Sequence, residues 1–154
     1  MREMRRKPKQ MSDEDTVKVL LAAAYGTLAS VDSAGQPYAV PLNYAYADGA
    51  IYFHSARQGH KLDTIRACPQ VCFSAVSYQR LLPANFDTEY DSVTVFGRAE
   101  EVSDEAEKQQ ALLLLIEKYS GEFREQGLAY IQRAAAQTGV VKLIIEHMTG
   151  KRGR

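Results

Sequence analysis

Residues 41–56, Pro41-Leu42-Asn43-Tyr44-Ala45-Tyr46-Ala47-Asp48-Gly49-Ala50-Ile51-Tyr52-Phe53-His54-Ser55-Ala56, decide the fold. Asp48-Gly49 is a hairpin turn signal, because both positions tolerate the positive φ that a tight two-residue turn demands. The strand entering the turn covers about residues 38–46 and the returning strand residues 51–55. Pro41 has no N–H to give to a ladder, so its strand belongs at an edge or a bulge.

Outward from this hairpin the chain reads as alternating short elements. On its N-terminal side, Ser12 ahead of Asp13, Glu14 and Asp15 marks a helix start, with a hydroxyl acceptor and acids at the positive end of the dipole. Val17, Leu20, Leu21 and Ala24 share one face of that helix, and Gly26 ends it. A strand over 27–31 and the turn Asp32-Ser33-Ala34-Gly35 follow. On the C-terminal side, Gly59 precedes a short helix over 61–67 with Leu62 and Ile65 inward. Strands follow over 71–78 and 92–102. Between them, residues 79–91 read as a long irregular segment of the kind that carries function. The helix over 104–119 bears Leu112-Leu113-Leu114-Leu115-Ile116, a face broad enough to pack on two sides, and Ser120-Gly121 stops it. A helix over 125–136 and a strand over 140–147 complete the chain. Six mostly antiparallel strands with flanking helices make an α+β barrel, one domain of 154 residues.

The bulk numbers exclude several classes. Net charge is zero, so no whole-protein field draws nucleic acid or an anionic membrane. The basic ends, Arg2, Arg5, Arg6, Lys7 and Lys9 against Lys151, Arg152 and Arg154, read as flexible, solvated termini over 1–11 and 150–154. No apolar run approaches the ~20 residues of a membrane span. No apolar stretch follows the charged N-terminus as in a signal peptide. Cys68 and Cys72 are too few for a secreted disulfide scaffold. His54, His60 and His147 lie in separate segments, so no metal site is expected. The setting these features imply is cytoplasmic.

No nucleophile elbow, phosphate-binding P-loop or dinucleotide fingerprint is present, so any reactivity belongs to a bound cofactor. The best candidate for holding one is residues 54–62, His54-Ser55-Ala56-Arg57-Gln58-Gly59-His60-Lys61-Leu62. It is a strand end, a glycine loop and a helix N-terminus. Free backbone N–H groups, the Ser55 hydroxyl and the charges of Arg57 and Lys61 suit a phosphate. The same composition also suits a plain strand-to-helix loop with solvated basic residues. On the facing strand, the backbone around Leu42 and Asn43 suits the polar edge of a flat heterocycle, and a half-buried strand would carry the same residues.

Taken in order, 41–44, 48–56, Gly59-x-Lys61-Leu62-Asp63, Val71-Cys72-Phe73, Ser92-Val93 and Phe96-Gly97-Arg98-Ala99 resemble the pyridoxamine 5′-phosphate oxidase-related split-barrel flavoproteins, most closely the nitroimidazole-resistance (Nim-type) branch. The resemblance spans nearly the whole chain. It implies a homodimer with FMN at the subunit interface. On that basis Ser55 and Lys61 hold the phosphate, with Ala56 and Leu62 beside them. Leu42 and Asn43 line the isoalloxazine, and His54 lies near the ring or ribityl chain as the proton donor. Ser92 and Arg98 close the site from the partner. The implied activity is NAD(P)H-dependent reduction of small acceptors such as nitro-aromatics. A non-catalytic module, or one that takes haem or a deazaflavin, is the alternative. Gln58 and His60 depart from the family loop, where relatives often carry an acidic and a basic residue. The basic C-terminal substrate segment of true pyridoxamine phosphate oxidases is missing, so vitamin B6 oxidation is not expected.

Overall fold

Seven antiparallel strands form one sheet in the computed structural model, which describes residues 1–154. In chain order the elements are α1 (Asp13–Ala22), β1 (Gly26–Val31), β2 (Pro37–Leu42), β3 (Ala45–Ala47), β4 (Ala50–Ala56), α2 (His60–Ala67), β5 (Gln70–Leu82), β6 (Asp87–Glu101), α3 (Glu105–Ser120), α4 (Arg124–Ala134) and β7 (Thr138–Gly153). The spatial order is β2-β1-β5-β6-β7-β4-β3. The two edge strands, β2 and β3, are therefore separated in the chain by Asn43 and Tyr44 alone. The α+β split barrel expected from the sequence is the fold observed. The strand count rises from six to seven because the segment read as 38–46 breaks at those two residues. Pro41 sits opposite Thr27 on the edge strand β2, where no second ladder needs its missing donor.

Alternation places one face of each strand inside the barrel. Phe53, Phe73, Val95 and Leu143 are fully buried there, and Leu28, Ile51, Val93 and Val141 pack with them. α1 covers the barrel with Thr16, Val19 and Leu20, joined by Ala23 just past its end. The face read from the sequence is thus rotated: Leu21 is 56% exposed, while Thr16 is buried because its hydroxyl donates to the Ser12 carbonyl at 2.8 Å. Leu62 and Ile65 of α2 point inward as expected. A smaller core joins α3, α4 and β7 through Ala111, Leu112, Ile131, Ala135 and Val140.

Three further expectations are corrected. Gly26 does not end α1. It opens β1, and a Cβ there would lie 2.1 Å from the Phe73 ring, so the site is reserved for glycine by packing. Residues 79–91 are not irregular: β5 and β6 continue as a ladder from Tyr78↔Asp91 to Leu82↔Asp87. Both faces of this arm are largely solvated, so it lacks the period-two hydrophobic signal that marks a half-buried strand. At its tip Phe86 takes the left-handed conformation (φ 51°) and is 98% exposed. The basic tail is not frayed. Gly150–Gly153 extend β7 along β6, and Gln10 bridges to Lys151, so the two basic ends lie side by side. The tail is pinned by Asp91, which accepts from Arg152 at 2.9 and 3.1 Å and from Arg154 at 3.2 Å.

Gly26→Ala should destabilise the fold by about 1–3 kcal/mol in urea unfolding, since the Phe73 ring must move. Asp91→Asn should cost about 2 kcal/mol at neutral pH, the scale of charge-assisted hydrogen bonds. The two arginines hold the Asp91 carboxyl below its ordinary value of 3.8. Its contribution is present above that value and is lost as acid protonates the folded carboxyl, so the gap between Asp91→Asn and wild type should close in strong acid.

Candidate functional site

β4 feeds two neighbouring hollows, because successive residues of a strand point to opposite faces. Ser55 lines a polar cavity of about 310 Å³ together with Arg57, Leu62, Arg66, Glu101, Ser103, Glu105 and Lys108. His54 lines an apolar cleft of about 190 Å³ with Asn43, Leu112, Leu115, Ile116, Tyr119, Tyr130 and Ile131. Thr138, paired with Ala56 at the ladder end, borders both, so the hollows adjoin around the end of β4.

In the polar cavity the Ser55 hydroxyl oxygen is buried and has no hydrogen-bond partner. Gly139 faces it across the ladder, where a Cβ would come within 3.4 Å of the hydroxyl. A buried hydroxyl without a partner costs about 1–3 kcal/mol, and that cost is relieved by a ligand that completes it. Arg57 lines the same cavity without a carboxylate partner. Gly59, at φ 143°, turns the chain into α2 and sets Lys61 in the first turn. The Lys61 ammonium lies 5.4 Å from the centre of the Phe53 ring, and burial pushes its pKa down. It too has no carboxylate beside it. The Ser55 hydroxyl and the Arg57 guanidinium thus line the cavity without anionic partners, donors suited to phosphate, and Lys61 adds a positive charge from the first turn of α2.

The apolar cleft is built around the break between β2 and β3. Leu42 is half-buried against the barrel core, Asn43 is exposed on the cleft wall, and Tyr44 is buried. Tyr119 of α3 serves the exposed backbone at this break. Its hydroxyl accepts from the Tyr44 N–H at 3.0 Å and faces two carbonyls, Ala24 at 2.7 Å and Tyr44 at 3.1 Å. Beside it the Lys118 ammonium rests 3.8 Å from the centre of the Tyr44 ring, has no hydrogen-bond partner and is pushed down to about 8 by burial. His54 is exposed along one side on the cleft wall, and partial desolvation by its neighbours, then the Lys61 charge, lower its pKa. Its imidazole is therefore neutral at pH 7, with one nitrogen able to donate and one able to accept.

Of the residues read from the sequence, Ser55 and Leu62 meet in the polar cavity and Asn43 and His54 in the cleft. Ala56 sits between the two hollows, on the ladder rung with Thr138, and Lys61 flanks Phe53. Ser92, opposite Lys151, and Arg98, opposite Gln70 and Ile144, line neither hollow of their own chain. The sequence reading missed Thr138, Tyr119, Lys118 and the polar wall formed by Arg66, Glu101, Glu105 and Lys108. These come from distant segments with no motif, although the broad apolar face of α3 signalled that the helix packs on both sides.

The sequence matches the pyridoxamine 5′-phosphate oxidase family over residues 12–152. The chain belongs to this family. Among solved structures, a proposed 5-nitroimidazole antibiotic resistance protein from Bacteroides thetaiotaomicron superposes with a TM-score of 0.79 at 24% identity, covering 93% of this chain and 86% of that one. A FAD-binding protein from Mesorhizobium loti gives a TM-score of 0.66 at 26% identity, covering 94% and 97%. A FAD- and haem-binding protein from Mycobacterium smegmatis gives 0.81 at 20% identity, covering 95% and 74%. No curated protein shows significant similarity to the chain. Within this pyridoxamine 5′-phosphate oxidase family member no helix is long and apolar enough to cross a membrane.

The folded pKa of His54 lies below its ordinary 6.5, so the fold resists protonation of this imidazole. Its contribution to stability is complete above that value and is lost as the pH falls through it. Thermal midpoints followed from about pH 8 to about pH 5 should therefore drop further for wild type than for His54→Gln. A gap between the two proteins that stays constant with pH would refute this.

Proposed function

We propose that the protein binds flavin mononucleotide, its phosphate in the polar cavity and its ring against the apolar cleft, and acts as an NAD(P)H-dependent reductase of small acceptors such as nitro-aromatics. The observation that carries this reading is the buried, unpartnered Ser55 hydroxyl, in a cavity that also holds the unpaired Arg57 and adjoins the cleft at Thr138. Family membership and relatives described as FAD-binding support a flavin as the group. When bound, the flavin supplies the hydride and electron transfer that no side chain of this chain provides.

The chain's own groups have distinct tasks. Ser55 and Arg57 hold phosphate oxygens, and Lys61 supplies charge that burial leaves uncompensated. Leu112, Leu115 and Ile116 keep water from one side of the cleft. The Asn43 amide and the local backbone meet the polar edge of a heterocycle. His54 holds a proton at the cleft wall. With its pKa lowered, it donates as imidazolium only below neutrality and as a hydrogen-bond donor above.

A second copy completes the site in this reading. The outer face of β5, β6 and β7 leaves Val76, Phe96 and Ile144 exposed, and the arm presents Phe86 to solvent. A homodimer that covers this face brings Ser92 and Arg98, on β6, toward the partner's cleft. Cys68 and Cys72 are free thiols, in keeping with work in the reducing cytoplasm.

The test is an absorbance spectrum of the purified protein, FMN titration, and anaerobic addition of NADH or NADPH followed by a nitro-aromatic. FMN should bind and be bleached by the nicotinamide, then reoxidised by the acceptor. Ser55→Ala should weaken FMN at least about tenfold, the equivalent of one lost hydrogen bond to a charged group. Light scattering should give a dimer. Absence of saturable FMN binding at tens of micromolar would sink the proposal.

A further inference from the structure

We infer that the free edge of the β5 arm, residues 76–82, pairs antiparallel with the same edge of a second copy, with Gln79 on the twofold axis. This seam rests on the two-copy reading above and involves neither flavin nor cleft.

β5 outruns the strand beside it. β1 pairs with β5 only as far as Gly26↔Ala75, while β5 continues to Leu82. No other segment of the chain hydrogen-bonds to the edge beyond Ala75. On the far side β7 stops opposite Tyr90, so the end of the arm is a ribbon of two strands. Such a ribbon with both faces in water is marginal by itself, and a third strand stabilises it. The edge is also poorly defended. Arg80 is its one charge, Pro83 lies beyond it, the bulge between Val76 and Tyr78 sits at its base, and Val76, Tyr78 and Leu81 are exposed. Long edges of this kind add strands from other chains unless charge or proline blocks them.

The edge is complementary to itself. A twofold axis perpendicular to the sheet pairs a strand antiparallel with its own copy. Opposed residues lie on one face of the sheet, and faces alternate along a strand, so one residue must oppose itself. Centring on Tyr78 would drive Leu81 onto Ala75, where β1 already lies. Centring on Arg80 would set two guanidinium groups opposite each other, a destabilising pair. Centring on Gln79 uses the whole edge. Tyr78 then meets Arg80, a cation beside an aromatic ring, and Leu82 reaches Val76 at the bulge. With this register the turn of each arm ends beside the start of the other copy's β1. A hollow of about 190 Å³ lies open there between Tyr25 and Val76. Phe86 of the turn and the exposed Tyr25 thus gain an aromatic partner in each other. Net charge is zero, so the copies do not repel.

Cysteine cross-linking of the full chain tests this, in a Cys68→Ser/Cys72→Ser background that removes the two native thiols. Directly opposed residues of an antiparallel pair stand about 4.5–5.5 Å apart between Cα atoms, within disulfide reach. Gln79→Cys should therefore give a covalent dimer under mild oxidation. Leu81→Cys, whose two copies would stand roughly 13 Å apart along the strands, should not. Tyr78→Cys and Arg80→Cys chains should link when mixed and fail to link when each is alone. Circular dichroism would verify that each variant is folded, and light scattering would count the copies. A dimer in which Gln79→Cys stays unlinked, or links no faster than Leu81→Cys, overturns the seam and leaves the two-copy flavin site standing. A wild-type monomer at micromolar concentration overturns the seam and the second copy alike, and FMN titration then reports on the flavin site by itself.

Discussion

Closing the sheet is the constraint from which the rest follows. β2 and β3 are the two ends of a seven-strand order, yet only Asn43 and Tyr44 lie between them in the chain. Laid flat, the ends would be separated by six strand spacings, roughly 29 Å. The step from Leu42 to Ala45 reaches about 10 Å. The sheet must therefore curl until its ends meet, and the meeting point cannot be laddered. Backbone groups exposed there need other partners, and Tyr119 provides them for Tyr44. That demand fixes the C-terminal end of α3 over the break, and α3 with α4 then walls the cleft in which Asn43 and His54 sit. Tyr44 in turn is anchored by its own hydroxyl, which donates to the Leu20 carbonyl of α1.

The division of labour at the site comes from the pleat of a single strand. His54 and Ser55 are neighbours, but alternation sends one toward an apolar wall and the other toward a polar one. A ligand with a flat, weakly polar head and an anionic tail meets both environments only where the strand ends, near Ala56 and Thr138. Lys61 lies close enough to influence both sides. Its charge lowers the pKa of His54, and its own pKa is lowered by burial. An anion bound nearby would ease both effects, which ties the ionisation of the cleft to occupancy of the cavity.

Much of this was legible in the sequence wherever one face of an element is buried. The Asp48-Gly49 turn, the inward Leu62 and Ile65, the edge position of Pro41 and the loop into α2 all follow from local chemistry. Features without a one-sided burial pattern were not legible. The hairpin beyond Tyr78 is solvated on both faces and carried no alternation. Thr16 is buried through a hydrogen bond to the backbone, which shifted the apparent face of α1. The break at Asn43–Tyr44 follows from barrel closure, a property of the whole sheet that no local window contains. The same holds for the wall formed by Arg66, Glu101 and Glu105, three residues brought together by α2, the end of β6 and the start of α3.

β7 is the final element of the chain, yet it lies between β6 and β4 and supplies the only ladder joining β3–β4 to the remaining strands. Synthesis therefore delivers this keystone after the six other strands of the sheet. Until residues 138–153 emerge, the β3–β4 hairpin is an orphan with an open edge, and the arm of β5 and β6 exposes a second one. Such edges invite pairing with other chains. The nascent protein thus passes through an interval of vulnerability to aggregation whose length is set by how soon this strand can thread between its two neighbours, a long-range closure of the slow-forming kind.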